Sequence, residues 1–326
     1  MTIFIALPLV LVAVGSLYAT NPVYETVSEQ SCTPGFLGQT CTTEIRARAK
    51  LDGAGRPITE TRYVGAAAYG GLLQPAEVAR AFSAGGRGIG DLLAIDFYAA
   101  LRFTLTFALV TLPLVIGLGL VVALAVNTVL QSIRGPLIFA TLLPFIVTPV
   151  IGALSIRWLF IGDGILTAAL RAVFRTDIAM FAQGWTIELL MMSYRVWHTT
   201  PFAFVVFYAG LQTLDRDTVE SAIVDGASRF ERLRAVVIPH LMPLIVFVAL
   251  IHLMDSYRVF EEVIGFSSQA YRISLQFLTF NFLTPDQTGN RAITRASASS
   301  MLTLLGILVV LVPLILRTWR SQRRRA

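Results

Sequence analysis

Little in this 326-residue sequence suits metal chemistry: it holds two cysteines and three histidines, and neither a CxxC pair nor an HExxH motif occurs. No GxxxxGK(S/T) is present, so the chain has no phosphate cradle for a nucleotide, and the absence of GxSxG removes the commonest serine-nucleophile motif. Lysine is nearly missing, with Lys50 as the sole example, and charge is scarce altogether: 14% of residues are charged, against about 25% in soluble domains. What fills the space is apolar, 55% of residues with a mean hydropathy of +0.70. Such a composition excludes a pair of soluble cores and a basic nucleic-acid binder, and describes a membrane protein whose arginines sit beside anionic lipid headgroups.

A bilayer core of about 30 Å needs about 20 mainly apolar residues per helix. Six windows meet this in sequence: Ile3–Ala19, Phe103–Val126, Pro136–Ile156, Leu189–Leu214, Leu241–Ile264 and Ala296–Leu316. The expected fold is therefore all-α, a polytopic membrane protein with six transmembrane helices. The sixth window ends against Arg317, Trp319, Arg320, Arg323, Arg324 and Arg325, the aromatic and basic flank of a cytoplasmic exit. Counting back puts both termini inside; the inside segments then carry ten arginines against five in the short outside loops. The first window lacks a basic n-region and is read as a retained helix, not a cleaved signal.

These spans divide the chain into a first helix at residues 1–19, an extracytoplasmic insert at 20–95, a five-helix core at 96–317 and a basic cytoplasmic tail at 318–326. The insert is rich in Gly, Ala and polar residues and reads as a loop without a substantial core of its own. It holds both cysteines, and a Cys32–Cys41 disulfide could persist there, with two reduced thiols as the alternative. Gly85-Gly86-Arg87-Gly88-Ile89-Gly90 follows no strand and lacks the GxGxxG spacing.

Between the fourth and fifth spans, Asp217 or Thr218 can cap a short helix running to Asp225, Gly226 can turn out of it, and Pro239 and Pro243 are placed to break or kink the start of the fifth span. Glu220-Ser221-Ala222, three residues, Gly226, nine residues, then Val236, Val237, Ile238 and Pro239 resemble the EAA loop of ABC-importer permeases, EAA-x3-G-x9-I-x-L-P. Ser221, Val236 and Ile238 are conservative departures, and the spacing is intact. Trp197-His198-Thr199-Thr200-Pro201-Phe202 and Ala209-Gly210-Leu211-Gln212-Thr213-Leu214 are similar to the carbohydrate-uptake permeases of the maltose type. So are Asp96-Phe97-Tyr98-Ala99-Ala100-Leu101, Leu142-Leu143-Pro144-Phe145 and Arg258-Val259-Phe260-Glu261, so the resemblance runs from Asp96 to the C-terminus. A Gly-Gly-Pro usual after the fifth span is replaced by Ile264-Gly265-Phe266-Ser267-Ser268-Gln269.

The resemblance implies a binding-protein-dependent sugar importer in the bacterial cytoplasmic membrane. It implies a non-enzymatic permease that binds no cofactor, while ATP and Mg are used by a partner ATPase. It also implies a second, related permease chain, two cytoplasmic ATPase subunits and an extracytoplasmic solute-binding protein. Glu220, Ser221, Ala222, Asp225, Gly226 and Pro239 are the expected coupling residues. An amino-acid, peptide or polyamine permease is the main alternative; a proton-coupled secondary transporter leaves the EAA spacing unexplained.

Charged groups inside a span are costly and are functional candidates for that reason. In the fifth span His252, Asp255 and Glu262 are expected on one helix face, with Tyr257 and Arg258 alongside, and Trp197 and His198 stand in the fourth. A path of these residues could bind a polyhydroxylated solute. The competing reading is an Asp255–Arg258 ion pair with headgroup-level charges at Glu261 and Glu262. Arg102, at the outer end of its span, is expected to snorkel.

Overall fold

The computed structural model describes residues 2–35, 38–53, 58–83, 88–162, 164–175, 181–286 and 289–323. Its elements, in order, are α1 (Thr2–Gly15), β1 (Tyr18–Pro22), β2 (Tyr24–Gly35), β3 (Gly38–Ala49), β4 (Thr59–Tyr63), α2 (Ala67–Leu73), α3 (Pro75–Ser83), α4 (Gly88–Leu93), α5 (Asp96–Thr128), α6 (Gln131–Ile146), α7 (Pro149–Phe160), α8 (Ile165–Phe174), α9 (Gly184–Gln212), α10 (Arg216–Val224), α11 (Arg229–Arg232), α12 (Ile238–Tyr257), α13 (Glu261–Gly265), α14 (Leu275–Leu283) and α15 (Ile293–Arg323). The chain divides into two compact units, one of Met1–Leu92 with Leu278–Leu304, the other of Leu93–Phe277 with Leu305–Ala326.

In the first unit, the insert carries more regular structure than a loop reading supplies. β1 pairs antiparallel with β4, and β2 with β3. The β-branched residues of these segments suit a pleated ribbon, and Lys50, Val23 and Ile58 exchange backbone bonds of 2.8–2.9 Å where the two ribbons meet. Few side chains here are buried, Leu72 and Ala81 among them, which agrees with the composition. Cys32 stands opposite Cys41 in the β2–β3 register; the side chains of both, and Gly85, Gly86 and Arg87, lie outside the described residues.

In the second unit, α5, α9 and α12 supply the core. By length and composition, three described helical runs can cross a membrane: α5, Arg229–Tyr257 and Ile293–Pro313. A fourth is the pair α6 and α7, bent by 91°. The bend lies at Val147 and Thr148, both extended, because Pro149 disfavours helical geometry in the residue before it. Of the other two predicted spans, α1 has 14 residues, about 21 Å of helix, and α9 is long enough at 29 residues but interrupted by polar side chains.

The prolines before the fifth span are absorbed without a break. A π-helical turn at Leu233–Val237 precedes Pro239, and the helix runs on from Arg229 to Tyr257. The predicted span end at Ile264 does not hold: α12 stops at Tyr257, and α13 is a separate short helix.

Candidate functional site

Two apolar clusters stack along the core helices with a polar layer between them. Along α5 the order is Phe107, Thr111, Val115; along α9 it is Tyr194, then Arg195 to Thr200, then Ala203; along α12 and beyond, Val248, then His252 to Ser256, then Val259. All three helices change from apolar to polar at one level, so their polar side chains face one another.

Arg195 is the centre of that layer. It is 4% exposed, forms an ion pair with Asp255, and lies 2.5 Å through Nε from Glu262 Oε1. The Glu262 contact is ionic without hydrogen-bond alignment: neither carboxylate oxygen of Glu262 has a hydrogen-bond partner among the described residues. The guanidinium also lies 5.6 Å from the centroid of the Phe107 ring. The expected alternative, Asp255 paired with Arg258, is corrected: Arg258 is the exposed C-cap of α12, and Asp255 reaches Arg195 instead. Glu262 is likewise not on the helix face of His252 and Asp255, because the chain turns between α12 and α13; Arg195 brings the two carboxylates together.

His252 is 2% exposed, with Nε2 2.9 Å from Thr111 Oγ1 and 3.1 Å from Ser256 Oγ. Thr111 already donates its hydroxyl to the Phe107 carbonyl at 2.7 Å, so Nε2 carries the proton and donates. Nδ1 is left as an acceptor with no partner among the described residues. His198 Nε2 donates to the Val147 carbonyl at 3.0 Å, and Tyr194 donates to the Pro149 carbonyl at 2.8 Å. Two carbonyls at the bend between α6 and α7 are satisfied in this way from α9.

A cavity of about 380 Å³ opens against this layer. Its wall includes Arg195, His198, His252, Asp255 and Glu261, with Phe145, Phe202 and Pro149 as its apolar side. Of the predicted path residues, His198, His252 and Asp255 line it, and Glu262 acts on it through Arg195. The other three do not line it: Trp197 is 49% exposed and packs beside Tyr194, Arg258 caps α12, and Tyr257 is buried where a Cβ on Gly306 would strike its hydroxyl. Glu261, read from sequence as a headgroup-level charge, is in the wall. Phe145, Thr199 and Phe202 stand in segments that resemble the carbohydrate-uptake permeases, but no charge singled them out as wall residues; Arg195 is an arginine inside an apolar window.

A second ionic node joins Arg102 of α5, Glu188 of α9 and Arg272, where a sequence reading of Arg102 expected only snorkelling. Arg102 and Arg272 border a separate cavity of about 410 Å³.

The loop between α9 and α12 is ordered by its own polar side chains. Asp215, not Asp217 or Thr218, caps α10: it accepts from the Asp217 amide at 3.2 Å and the Thr218 hydroxyl at 3.1 Å. Glu220 and Ser221 are exposed, and Ala222 is half-buried. α10 ends at Val224 with Asp225 as its C-cap. Gly226 then adopts φ +80°, and a Cβ there would meet nothing within 4 Å, so glycine is required by backbone geometry and not by crowding. Ser228 and Glu231 form a reciprocal capping box for α11. The Ser228 hydroxyl and amide hold the Glu231 carboxyl below the usual range. Val224 and Phe230 are 87% and 69% exposed, an apolar surface unusual on a charged loop.

The profile described as "Binding-protein-dependent transport system inner membrane component" matches residues 96–326. The probable ABC transporter permease protein y4oQ of Sinorhizobium fredii is 28% identical, over 69% of this chain and 72% of the relative. The trehalose/maltose transport system permease protein MalF of Thermococcus litoralis is 29% identical, over 67% and 73%. In fold, the chain is similar to a component of a bacterial alginate ABC transporter crystallised with an alginate pentasaccharide-bound periplasmic protein: TM-score 0.59, 20% identity, 74% of this chain and 86% of that one. With more than two thirds of its length matched by the profile, the chain belongs to the family of binding-protein-dependent transport system inner membrane components.

Proposed function

We propose that this chain is one translocation subunit of an ATP-driven importer for a sugar or sugar-like solute, and that the cavity beside Arg195 is where the solute passes. The observation that carries this is the cavity itself: a polar opening at the level where three core helices interrupt their apolar sequence, walled by His198, His252, Asp255 and Glu261. Soluble ligands need such a layer to cross a hydrocarbon core, and a packed structural ion pair needs no opening. Relatives named for trehalose and maltose, trehalose, and lactose support a sugar.

A second, related permease would complete the path. Two cytoplasmic ATPases would use ATP and Mg, and an extracytoplasmic solute-binding protein would deliver the solute. Glu220, Ser221, Ala222, Asp225, Gly226 and Pro239 would couple the ATPase to the spans: exposed Glu220 offers a charge-assisted bond, Ala222 close approach and Gly226 the turn. Six spans with both termini cytoplasmic complete the proposal. Reconstituted with these partners, the chain should take up labelled trehalose or maltose only with ATP inside its cytoplasmic face and the binding protein outside. Sugar uptake independent of either would overturn the reading.

A further inference from the structure

Relatives of this chain are named both for uncharged sugars and for sn-glycerol 3-phosphate, and the wall chemistry separates the two classes. We propose that the cavity admits solutes that donate hydrogen bonds and carry no negative charge, and refuses phosphorylated or uronic ones. This rests on the reading of the cavity as the translocation site.

The first ground is charge. Among the described lining residues Arg195 is the one guanidinium, with Asp255 and Glu261 as carboxylates in the same wall. Arg195 is not available to an incoming anion, because Asp255 and the buried Glu262 both hold it. In the wall itself two carboxylates against one guanidinium leave a formal excess of one negative charge, and the buried Glu262 behind Arg195 adds to that sign. A phosphate or carboxylate entering a partly desolvated wall of that sign is repelled.

The second ground is hydrogen-bond polarity, which bears on the same wall. His252 spends its Nε2 proton on Thr111 and Ser256, and His198 spends its own on the Val147 carbonyl. Nδ1 of His252 is buried behind the wall, so neither imidazole presents a proton to the cavity. Asp255, its side chain 52% exposed, offers an acceptor. Sugar hydroxyls can donate to the Asp255 and Glu261 carboxylates; an ionised phosphate or uronate group is acceptor-only and can donate to neither. The aromatic rings of Phe145 and Phe202, stacked 5.9 Å apart, supply an apolar face for a sugar ring.

The test separates wall polarity from solute identity. Met254, 40% exposed in the cavity wall, is changed to cysteine in the complete reconstituted transporter. It is then reacted with cationic trimethylammonium-ethyl and anionic sulfonatoethyl methanethiosulfonate, with the unaltered chain as blank. Each rate is divided by that reagent's rate with a free thiol. The cationic reagent should be favoured by about tenfold or more, and Asp255→Asn should lower that preference several-fold. Ile251→Cys, also in the wall, serves as a second reporter if Met254→Cys impairs assembly. Equal rates, or a preference for the anionic reagent, would overturn the proposal even if trehalose is transported. Uptake of sn-glycerol 3-phosphate as fast as trehalose would overturn it too. A retained cationic preference with no uptake of any sugar would instead sink the sugar-importer reading and leave the charge selection standing.

Discussion

Arg195 of α9 lies 2.5 Å from Glu262 of α13, a side chain only 1% exposed, and the same guanidinium holds Asp255 at the end of α12. One cation thereby ties three helical segments together, and its two partners are unequal. Removing Arg195 strands a fully buried carboxylate, which costs about 3–5 kcal/mol when such a pair is broken.

Arg195→Met should therefore lower the yield of assembled transporter and its melting temperature in detergent, and Arg195→Met with Glu262→Leu should recover most of the loss. Asp255→Asn, at the half-open partner, should change stability far less, by about 1 kcal/mol or under, while reducing solute-stimulated ATPase activity. If the double variant is no better than Arg195→Met, Glu262 is not held by this pair.

Gly119 of α5 faces α9 so closely that a Cβ would sit 2.6 Å from Ala203 Cβ and 3.1 Å from the Phe204 amide nitrogen. Backbone atoms cannot swing aside, so Gly119→Val should force the two helices apart and cost about 1–3 kcal/mol. Thermal unfolding of the purified chain reads this directly. Gly117, with nothing within 4 Å, is the control: Gly117→Val should be tolerated.

Gly226→Ala should strain the turn by about 1–2 kcal/mol, because φ +80° is unfavourable for an L side chain. Gly226→Pro, with its ring-fixed φ, is the stronger form. Both variants should still insert, since the turn lies outside the spans, but Gly226→Pro should abolish uptake. Wild-type transport in Gly226→Pro would show that this turn does not couple ATP hydrolysis to the membrane helices.

The capping box gives the loop a pH response. The Glu231 carboxyl is held below its ordinary 4.5 by the Ser228 hydroxyl and amide. Its contribution to the α11 cap is therefore complete above that ordinary value and is lost as pH falls through the lowered one. Protection of the Ser228 amide from hydrogen exchange should fall over that acidic window in the wild type and be pH-independent in Glu231→Gln. Identical profiles would mean that the box does not hold the amide.

Orientation is checked by labelling. A cysteine at Gln269, exposed in the segment after α13, should react with a membrane-impermeant thiol reagent from outside, and one at Ser228 only after permeabilisation. The reverse pattern would invert the arginine-bias topology.

The predominantly helical membrane class and the turn between α10 and α11 were legible in the residues themselves, because both rest on local physics. An apolar run long enough to cross a bilayer and a glycine at a fixed distance from a helix cap are properties of consecutive residues. The same locality misplaced the cap, since Asp215, Asp217 and Thr218 are all competent and only geometry chooses Asp215.

The ionic layer could not be read that way. Asp255 and Arg258 share a helical spacing that favours pairing, yet Arg195 arrives from another helix and displaces Arg258, because burial beside Phe107 rewards the partner that leaves no charge stranded in the core. The end of α12 at Tyr257 moves Glu262 out of its expected register and onto Arg195. That His252 and His198 have no proton left for a solute depends on Thr111 and on the carbonyl freed at the α6–α7 bend, contacts between residues far apart in the chain. Local sequence carries periodicity, length and capping; the cavity's charge and hydrogen-bond polarity exist only once α5, α6, α9 and α12 have brought distant side chains within reach of one another.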